Sequence, residues 1–589
     1  MKTLLALTLG LSMLSCAQDY KMGPDSEVQP GVPQGKVTKH VLAPGKIYQG
    51  VPHNYQVYVP AQYSTDKPAP FMIFLDGSGA AGQGQRVPTV FDNLIAKGDL
   101  PPIIGIFIDP GVLPAVNDSA QSRYNRIFEY DNVSPMFARF LETELIPEVA
   151  KSYSLSKDPS DHAIAGVSTG AVGAFVAAWE RPDLFRRVLS FIGTFVSMKG
   201  ADSFPSIIRR TEPKPIRVFL QAGKNDHIGE GQPFGVFYGG SWPMQNQLMY
   251  EALQFSGYDV KFELGTEAHN MKHGAAIMPD ALRWLWRGYG KPIEAHEPAA
   301  LNKKDWEPRG QVYSIVSAAK GWEKVGGIHN TISGIAAAPD GRVYYSDPTT
   351  HAIYYTDTAG KETVYREAAN NTAIAVAADG RVYGSEPVRK RVVVYSPDNS
   401  VKTVAEGVNA AAFVLTNAGT IYYADPAAHS IGYIDATGKS RTVLTNQEPG
   451  KMTSVGLTPD HAMLIVGDQD RRFQWSYQIM PDGGLANGEP FFRVDLWEAS
   501  ATSDVRAIAS DSIGQVYFAT ALGIQYCEQN GRCAGIINKP TAGPIAAMAF
   551  GGKDLDYLYA ASGGELYRRP VKIKGSSAWS VVKPPRPPL

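Results

Sequence analysis

Ser168 lies in the sequence Gly166-Val167-Ser168-Thr169-Gly170, between a short apolar run and an alanine-rich segment with a helical pattern. A serine hydroxyl can attack a carbonyl when a sharp strand-to-helix turn projects it, and such a turn closes only around very small neighbours. Gly166 and Gly170 meet this requirement. An ordinary glycine-flanked turn is the alternative, but the flanking strand and helix patterns favour a nucleophile elbow. In such an elbow the backbone N–H of Thr169 faces a developing oxyanion.

A serine nucleophile needs a base and a carboxylate that orients the base, and both follow Ser168 in the chain. Asp226 comes after the strand-like run 216–220, and His269 comes after the alternating run 260–264. In an open parallel sheet, loops at the carboxyl ends of strands gather catalytic residues. The order Ser, Asp, His is also that of an α/β-hydrolase triad. We therefore predict that Asp226 and His269 converge on Ser168.

Two other histidines compete with His269 for the role of base. His227 directly follows the predicted acid and is expected to point away from it. His273 begins the run into the next helix, whereas the base belongs in the loop just after its strand. For Asp226 the alternative is a turn residue that binds its own backbone. The ordered set of three residues favours the triad.

A glycine-rich turn offers a second donor for the oxyanion. The apolar run 71–75 leads into Asp76-Gly77-Ser78-Gly79, where the loop after an early strand supplies a backbone N–H. Glycine lets the backbone approach a substrate closely. We predict Gly77 as this donor, with a simple turn as the alternative.

Residues from about 40 to 290 resemble the esterase family that includes enterochelin, feruloyl and acetylxylan esterases. The resemblance implies an α/β-hydrolase fold, a triad of Ser168, Asp226 and His269, and no cofactor. It also implies acyl or feruloyl esters of polysaccharide as substrates, with siderophore esters second. The segments that carry it are Leu75-Asp76-Gly77, Arg126-Ile127-Phe128-Glu129, the Ser168 motif, Ala222-Gly223-Lys224-Asn225-Asp226 and the His269 loop ahead of Trp284.

Two details bear on the cleft. The family usually carries Gly-Gly-His at the base, whereas this chain has Glu267-Ala268-His269, and the larger residues alter the loop or narrow the cleft. Arg126 and Glu129 are predicted to line the cleft and contact substrate. A surface salt bridge is the alternative for this pair.

The beginning of the chain is typical of an export signal. Lys2 and the apolar run 4–14 precede Cys16, where bacterial lipoprotein signals place their lipidated cysteine. We predict a signal peptide over 1–16, lipidation of Cys16 and a tether over 17–38; ordinary cleavage after Ala17 is the alternative. The protein is then exported, and is either periplasmic or anchored to the outer membrane by acyl chains alone.

Composition limits the remaining possibilities. At 589 residues the chain is too long for one ordinary core. Its 56 basic and 57 acidic residues nearly cancel, which gives no general attraction to nucleic acid or to an anionic membrane. The sequence assigns no oligomeric state.

The second half of the chain repeats a short phrase. Glycine followed by a tyrosine-containing strand recurs at Gly341, Gly380 and Gly419, spaced 39 residues apart, and three weaker copies follow. Each copy is preceded by a small-apolar strand and a hairpin turn, and is followed by a second strand pair. Four short strands per repeat of about 40 residues are typical of propeller blades. We predict six blades over 325–572, in which the repeated tyrosines belong to the blade core.

This half resembles the six-bladed gluconolactonase and regucalcin-like propellers. Members with lactonase activity hold a divalent cation on the central axis with Glu, Asn and Asp. The corresponding positions here are Ser333, Thr453 and Arg506. None is a good ligand, and a guanidinium repels a cation. We therefore predict no metal site, and a propeller that binds glycan or shapes the esterase cleft.

The predicted fold class is multidomain, with an α/β-hydrolase domain over 39–295, a linker over 296–324, a six-bladed propeller over 325–572 and a proline-rich tail over 573–589. Cys527 and Cys533 flank a probable hairpin tip and either pair or remain free thiols. A serine esterase acting on carbohydrate esters or other small esters is the leading function. A metal-dependent propeller lactonase and a non-enzymatic glycan-binding lipoprotein are the alternatives.

Strands are predicted near 55–59, 71–75, 102–108, 162–167, 216–221 and 259–264, and helices near 137–152, 171–180, 244–256 and 279–288.

Overall fold

The computed structural model describes residues 19–227, 239–297, 312–396, 398, 400–445 and 450–587. Two compact units are formed. The first, the sheet unit, contains the described residues up to Asp202, Ile216–Tyr250 and Asp259–Ile293. The second, the propeller unit, contains Ser203–Pro215, Glu251–Tyr258 and the described residues from Glu294 onward. The predicted signal peptide and Cys16 lie outside the described residues.

The sheet unit is built on an eight-stranded sheet with the strand order β1-β2-β4-β3-β7-β8-β9-β10. β1 and β2 pair antiparallel, β2 pairs antiparallel with β4, and the remaining pairs are parallel. The carboxyl ends of six parallel strands therefore meet at one edge, as the α/β-hydrolase prediction requires. The strands are β1(Lys36–Leu42), β2(His53–Val59), β3(Phe71–Leu75), β4(Ile104–Ile108), the small hairpin β5(Val112–Leu113) and β6(Arg123–Tyr124), β7(His162–Val167), β8(Arg187–Phe191), β9(Arg217–Gly223) and β10(Asp259–Gly265).

All six strands predicted for this unit are present; two further strands of the eight-stranded sheet, β1 and β8, were missed, as was the small β5–β6 hairpin. β8 carries Arg187 and Ser190, both buried, which interrupt the apolar pattern expected of a central strand. The Arg187 guanidinium is accommodated because it donates to the Ser160 carbonyl at 2.8 Å and stacks on the Trp286 ring.

Helices cover the sheet and differ from the prediction mainly at their ends. The predicted helix over 137–152 is interrupted by a π-helical turn at Leu141–Leu145. The predicted helix over 279–288 begins earlier, at Lys272, so Pro279 lies in its interior instead of at its start. In chain order the helices are α1(Gly77–Ala81), α2(Val87–Ala96), α3(Arg126–Tyr130), α4(Met136–Phe140), α5(Ile146–Ala150), α6(Thr169–Glu180), α7(Phe204–Arg210), α8(Trp242–Phe255) and α9(Lys272–Trp286). Of these, α7 belongs to the propeller unit and not to the sheet unit.

The segment predicted as a tether is folded where it is described. Asp25 accepts hydrogen bonds from Arg283 at 2.6 Å and from Lys97. Asn93 donates to the carbonyls of Asp25 and Glu27 at 2.9 and 2.8 Å, and β1 begins at Lys36. Its Pro-, Gly- and Gln-rich composition suggested a tether, but these ion pairs and side-chain hydrogen bonds fix residues 25–27 to α2, its C-cap and α9.

The propeller unit contains six four-stranded antiparallel sheets, which confirms the predicted six blades. The recurring phrase forms the second strand of each blade. The first three blades are β12(Gly334–Ala337), β13(Val343–Asp347), β14(Ala352–Thr356) and β15(Glu362–Arg366); β16(Ala373–Val376), β17(Val382–Glu386), β18(Arg391–Tyr395) and β19(Val401–Glu406); and β20(Ala412–Leu415), β21(Ile421–Asp425), β22(Ser430–Ile434) and β23(Ser440–Thr445). The fourth and fifth are β24(Met452–Leu457), β25(Met463–Asp468), β26(Phe473–Ile479) and β27(Leu485–Arg493); and β28(Ala507–Ser510), β29(Val516–Ala519), β30(Ile524–Cys527) and β31(Cys533–Ile537).

The sixth blade joins the two ends of the propeller. It consists of β32(Ile545–Gly551), β33(Tyr557–Ser562) and β34(Glu565–Pro570), and its outer strand is β11(Glu323–Ile328), the first strand of the propeller in the chain. β11 pairs antiparallel with β34. This arrangement closes the ring with main-chain hydrogen bonds between segments about 240 residues apart.

Side chains inside the blades and at the channel support this ring. The repeated Tyr344, Tyr383 and Tyr422 are all buried, as a blade-core role predicts. Cys527 and Cys533 form a disulfide across β30 and β31. The innermost strands line a central cavity of about 210 Å³, which residues 576–578 of the predicted tail also line. The tail is therefore packed in this part: Trp579 donates its indole N–H to the Ala337 carbonyl at 3.1 Å.

Leu566→Ala tests the closing blade. Leu566 is fully buried and packs with Val325 of β11, so truncation leaves a cavity in the seam between the two ends of the ring. We expect the free energy of unfolding of the propeller unit to fall by about 3 kcal/mol. The control is Ile328→Ala on β11, whose side chain is 77% exposed, with an expected change below about 0.5 kcal/mol. Urea titration of both variants measures the free energy of unfolding. Equal losses in the two variants contradict the role of Leu566 in closing the ring.

Candidate active site

Ser168 occupies a strained turn between β7 and α6. Its backbone lies at φ 58° and ψ −122°, a conformation that costs free energy for any residue other than glycine. A Cβ atom on Gly166 would lie 2.0 Å from the Gly170 carbonyl oxygen, so only glycine fits there. The strand-turn-helix context and the two glycines thus form the predicted elbow, with the Ser168 side chain only partly buried.

The structure brings Ser168, His269 and Asp226 into one hydrogen-bonded chain. The distance from Ser168 Oγ to His269 Nε2 is 2.9 Å. His269 Nδ1 lies 2.8 and 3.0 Å from the two carboxylate oxygens of Asp226. Asp226 is fully buried, whereas the His269 side chain is 23% exposed. The imidazole therefore has a fixed orientation, with one nitrogen on the buried carboxylate and the other on the serine hydroxyl.

The loop that carries Asp226 and the loop that carries His269 contact each other. Asp226 follows β9 and His269 follows the adjacent parallel strand β10. A Cβ atom on Gly223 would lie 1.9 Å from the Glu267 carbonyl oxygen, so glycine allows the two loops to approach. Glu267, in the position where the resembling family usually has glycine, turns its carboxylate towards Lys272 and Asn270.

His227 lies against His269, contrary to the prediction that it points away from the acid. The two rings are 4.7 Å apart between centroids and tilted by 33°. Burial and the proximity of His269 lower the pKa of His227, which favours a neutral ring there. The prediction was wrong because the chain bends at Asp226, which leaves a ligand atom of each of Asp226, His227 and His269 within 4.8 Å of the others.

His273, the other competing base, lies in α9 and not in the loop. Its Nδ1 is 3.1 Å from Gln221 Nε2, and its ring packs 4.1 Å from that of Tyr20. Burial lowers the pKa of His273. His273 therefore contacts Gln221 and Tyr20, whereas His269 makes the hydrogen bond to the serine hydroxyl.

Arg126 supports the elbow. Its guanidinium forms a bidentate pair with Asp76 at 2.7 Å for both contacts, and donates to the Val167 carbonyl at 3.3 Å. Asp76 precedes α1 and has a left-handed φ of 54°. The arginine therefore ties the turn after β3 to the turn after β7, and about a third of its side chain remains exposed.

Glu129 does not line the cleft, and that part of the prediction is corrected. It is 1% exposed, lies 3.1 Å from the His53 ring nitrogen and accepts from the Gly111 backbone N–H at 3.2 Å. Although both residues lie in α3, Arg126 pairs with Asp76, whereas Glu129 contacts His53 and Gly111. Glu129 thus anchors the loop that leads into the β5–β6 hairpin.

The two predicted oxyanion donors lie at neighbouring strand ends. Gly77 begins α1 after β3, Thr169 begins α6 after β7, and these two strands pair in parallel. The first N–H groups of a helix have no partner within it. A Cβ atom on Gly77 would lie 2.2 Å from the Phe107 carbonyl carbon, so this turn also requires glycine.

Thr194 and Trp242 also contact the site and were not predicted. Thr194 Oγ1 lies 3.0 Å from Ser168 Oγ, and the Trp242 indole N–H donates to Thr194 Oγ1 at 3.2 Å. The Trp242 ring also packs edge-on against His269 at 5.8 Å. No sequence motif marks either residue. The available signal was the position of Thr194 just after the missed strand β8.

Two sets of residues were considered as metal ligands. Asp226, His227 and His269 each place a ligand atom within 4.8 Å of the others, but the hydrogen bonds to Ser168 and Asp226 occupy the His269 nitrogens. In the propeller, Thr453 Oγ1 donates to the Val505 carbonyl at 2.9 Å and Arg506 donates to Asp504 at 2.9 Å. The propeller positions do not fit a divalent cation, because Thr453 donates its hydroxyl proton to a carbonyl and Arg506 is itself a cation.

Two family models match the chain. Residues 49–242 match the family described as "Putative esterase", and residues 333–564 match the "SMP-30/Gluconolactonase/LRE-like region". The first match contains Ser168 and Asp226, and the second spans blades of the propeller. An esterase-like domain is therefore followed by a gluconolactonase-like propeller.

Two curated relatives match the first half of the chain. An iron(III) enterobactin esterase of Dickeya dadantii (strain 3937) is 25% identical over 244 residues, which are 38% of this chain and 50% of that protein. The uncharacterized protein YbbA of Bacillus subtilis (strain 168) is 22% identical over 245 residues, which are 40% of this chain and 92% of that protein. The chain thus spans half the length of the enterobactin esterase.

Two solved structures are similar to parts of the chain. An enterobactin esterase from Shigella flexneri is 19% identical, with a TM-score of 0.34, and the match covers 44% of this chain and 63% of that chain. A gluconolactonase from Xanthomonas campestris is 16% identical, with a TM-score of 0.38, and the match covers 44% of this chain and 94% of that chain.

Gly166→Ala tests the elbow geometry. The added methyl group overlaps the Gly170 carbonyl, so the turn must open and Ser168 must move from His269. We expect a loss of about 3 kcal/mol in the free energy of unfolding and a fluorophosphonate labelling rate of Ser168 at least tenfold lower. Gly84→Ala is the control, since its Cβ would meet nothing within 4 Å. Wild-type labelling of Gly166→Ala rules out a geometric requirement.

Asp131→Asn tests the electrostatics beside α3. Among the described residues, neither carboxylate oxygen of Asp131 has a hydrogen-bond partner, and burial raises its pKa to about 6. The folded protein therefore holds this proton more tightly than the unfolded chain, and wild-type stability falls as pH rises from about 4 to about 6.

The variant lacks this titration. Relative to Asp131→Asn, we expect wild type to lose on the order of 2 kcal/mol across that window. The control is Asp118→Asn at an exposed position, with no pH-dependent difference. Urea unfolding at pH 4 and pH 7 measures the effect, and a parallel response of wild type and Asp131→Asn contradicts it.

Proposed function

We propose that the sheet unit is a serine carboxylic ester hydrolase. The premise is that residues 49–242 form an esterase-family domain and residues 333–564 a gluconolactonase-like propeller. The hydrogen-bonded chain from Ser168 through His269 to Asp226 is the observation that carries the proposal. Its geometry matches what nucleophilic catalysis by serine requires.

In the proposed reaction, Ser168 Oγ attacks the ester carbonyl carbon while His269 Nε2 takes the hydroxyl proton. The same proton then passes to the oxygen of the leaving alcohol as the ester C–O bond breaks. Water attacks the acyl-enzyme with His269 again as base, and the acid leaves. Asp226 holds the imidazole in the Nδ1–H tautomer and stabilises the imidazolium that forms. These steps need no cofactor.

Backbone N–H groups stabilise the tetrahedral intermediates in this scheme. Thr169 lies at the N-terminus of α6, where the helix dipole adds to its hydrogen bond. Gly77, at the end of the neighbouring strand, is the second donor. Arg126 holds the two turns in register through Asp76 and Val167 and so positions both donors. Its exposed portion is available to a substrate.

For the substrate we propose an acyl or feruloyl ester on carbohydrate, with a siderophore ester as second candidate. The name of the Dickeya dadantii relative supports the second. Comparing kcat/KM on feruloylated oligosaccharide and on a cyclic catechol triester separates them. A higher value on the oligosaccharide supports the first candidate, and a higher value on the triester replaces it with the second.

The propeller is proposed to be non-catalytic, because Ser333, Thr453 and Arg506 do not fit the cation of the lactonase members. Export with a lipid on Cys16 is proposed from the leader, and the Cys527–Cys533 disulfide agrees with an oxidising compartment. Among the described residues, each helix is too short or too polar to cross a membrane.

Ser168→Ala tests the esterase proposal. Because the hydroxyl is the nucleophile, we expect hydrolysis of a short-chain aryl ester to fall at least about a thousandfold and fluorophosphonate labelling to disappear. Chelator has no effect on the wild-type rate. The control is Ser64→Ala, an exposed serine in the loop after β2.

Three results overturn the proposal. Undiminished hydrolysis by Ser168→Ala removes the serine mechanism. Chelator-sensitive, serine-independent hydrolysis assigns the activity to a metal-dependent propeller lactonase. If the wild-type protein hydrolyses no ester in a broad panel and Ser168 takes no fluorophosphonate label, the non-enzymatic glycan-binding function replaces the proposal.

A further inference from the structure

Thr194 is held against the nucleophile by a second strained turn. β8 ends at Phe191, and Ile192 then adopts a φ of 42°, which is unusual for a β-branched residue. Ile192 is nearly fully buried and donates its backbone N–H to the Gln221 carbonyl at 2.7 Å. The turn brings Thr194 to Ser168, where its backbone N–H donates to the Ser168 carbonyl at 3.2 Å. Strain of this kind persists where the surrounding structure enforces it, and it clusters at functional sites.

The same turn is fixed from the other side by α8. Asn246, fully buried, donates to the Gly193 carbonyl at 2.8 Å and to the Trp242 carbonyl at 2.9 Å. The first turn of α8 and the turn after β8 are thereby joined. Trp242 donates its indole N–H to Thr194 Oγ1, and Thr194 is only 1% exposed. The threonine hydroxyl therefore has a buried, fixed position beside Ser168 Oγ.

The number of protons that each group can donate fixes the direction of the hydrogen bonds from Trp242 through Thr194 and Ser168 to His269. An indole N–H can only donate, so Thr194 Oγ1 accepts from Trp242. A neutral His269 that donates Nδ1–H to Asp226 accepts at Nε2, so the Ser168 proton points to His269. The 3.0 Å contact between the two hydroxyl oxygens is attractive only when Thr194 donates its single proton to Ser168 Oγ.

We propose that Thr194, oriented by Trp242, is a positioning residue that donates a hydrogen bond to Ser168 Oγ. This inference rests on the proposed function. The bond orients the serine lone pairs and proton for attack, with the proton directed at His269 Nε2 and a lone pair facing the substrate carbon. As the proton moves to His269 Nε2 and the bond from Oγ to the acyl carbon forms, Thr194 stabilises the negative charge on Oγ. Thr194 keeps its own proton throughout.

The same contact acts in deacylation. Water then attacks the acyl carbon, the acyl–Oγ bond breaks, and Ser168 Oγ leaves with a developing negative charge before His269 returns the proton. A donor aimed at Oγ stabilises the charge in both half-reactions. Loss of the Thr194 hydroxyl therefore slows acylation and deacylation by similar factors, whereas a change in substrate binding raises KM and leaves deacylation unchanged.

Thr194→Val is the decisive variant, because valine keeps the shape and removes the hydroxyl. We expect its acylation rate, its deacylation rate and its fluorophosphonate labelling of Ser168 each to fall about tenfold to a hundredfold. Thr194→Ser is the matched control and retains each rate within about threefold. Trp242→Phe removes the indole donor, frees the threonine proton to turn away and gives an intermediate loss.

Pre-steady-state burst kinetics on an aryl ester separate the two half-reactions, and thermal unfolding shows that the variants fold. Three outcomes overturn the inference: Thr194→Val at the wild-type rates, Thr194→Ser as slow as Thr194→Val, or a loss confined to KM. An inactive wild type that carries no label on Ser168 overturns the proposed function instead, so the two failures are distinguishable. If Thr194→Val does not fold, Trp242→Phe and Thr194→Ser still decide, since wild-type rates in Trp242→Phe contradict the directed chain.

Discussion

The backbone conformation of Ser168 is the constraint on which the site depends. At φ 58° and ψ −122° the residue gives up favourable sterics, so its neighbours must fix it there. Gly166 supplies the space against the Gly170 carbonyl, Arg126 takes the Val167 carbonyl, and Thr194 donates to the Ser168 carbonyl. With α6 buried along nearly its whole length behind it, the turn cannot relax without disturbing the core of the sheet unit.

The parallel sheet converts sequence order into spatial neighbourhood. β7, β8, β9 and β10 lie side by side, and the loops after them carry Ser168, Thr194, Asp226 and His269. Each group therefore arrives at the same edge from an adjacent strand, although 101 residues separate serine from histidine. Burial of Asp226 removes water from the carboxylate and leaves the His269 Nδ1–H as its partner, which strengthens that hydrogen bond.

Sequence reasoning found the residues whose chemistry and order are distinctive, and it missed those that act through packing. Ser168, Asp226 and His269 carry a motif, a turn and a strand end that can be recognised one by one, and the six blades follow from a fixed period. Glu129 and His227 were misplaced because other segments of the chain supply their partners: Glu129 contacts His53 and Gly111, and His227 packs against His269. Thr194 was missed because β8 hides two polar residues among apolar ones; whether Arg187 in a central strand is tolerated depends on carbonyl oxygens supplied by distant parts of the chain.

The pairing of β11 with β34 sets the timing of assembly. Five blades are local in sequence and can form as soon as their own strands exist, but β11, the outer strand of the sixth, waits for β34, which is synthesised about 240 residues later. During that interval β11 and the unfinished end of the ring are exposed sheet edges, which readily pair with other chains. A nascent molecule therefore needs β34 promptly, and termination of synthesis near residue 565 leaves an open, aggregation-prone ring.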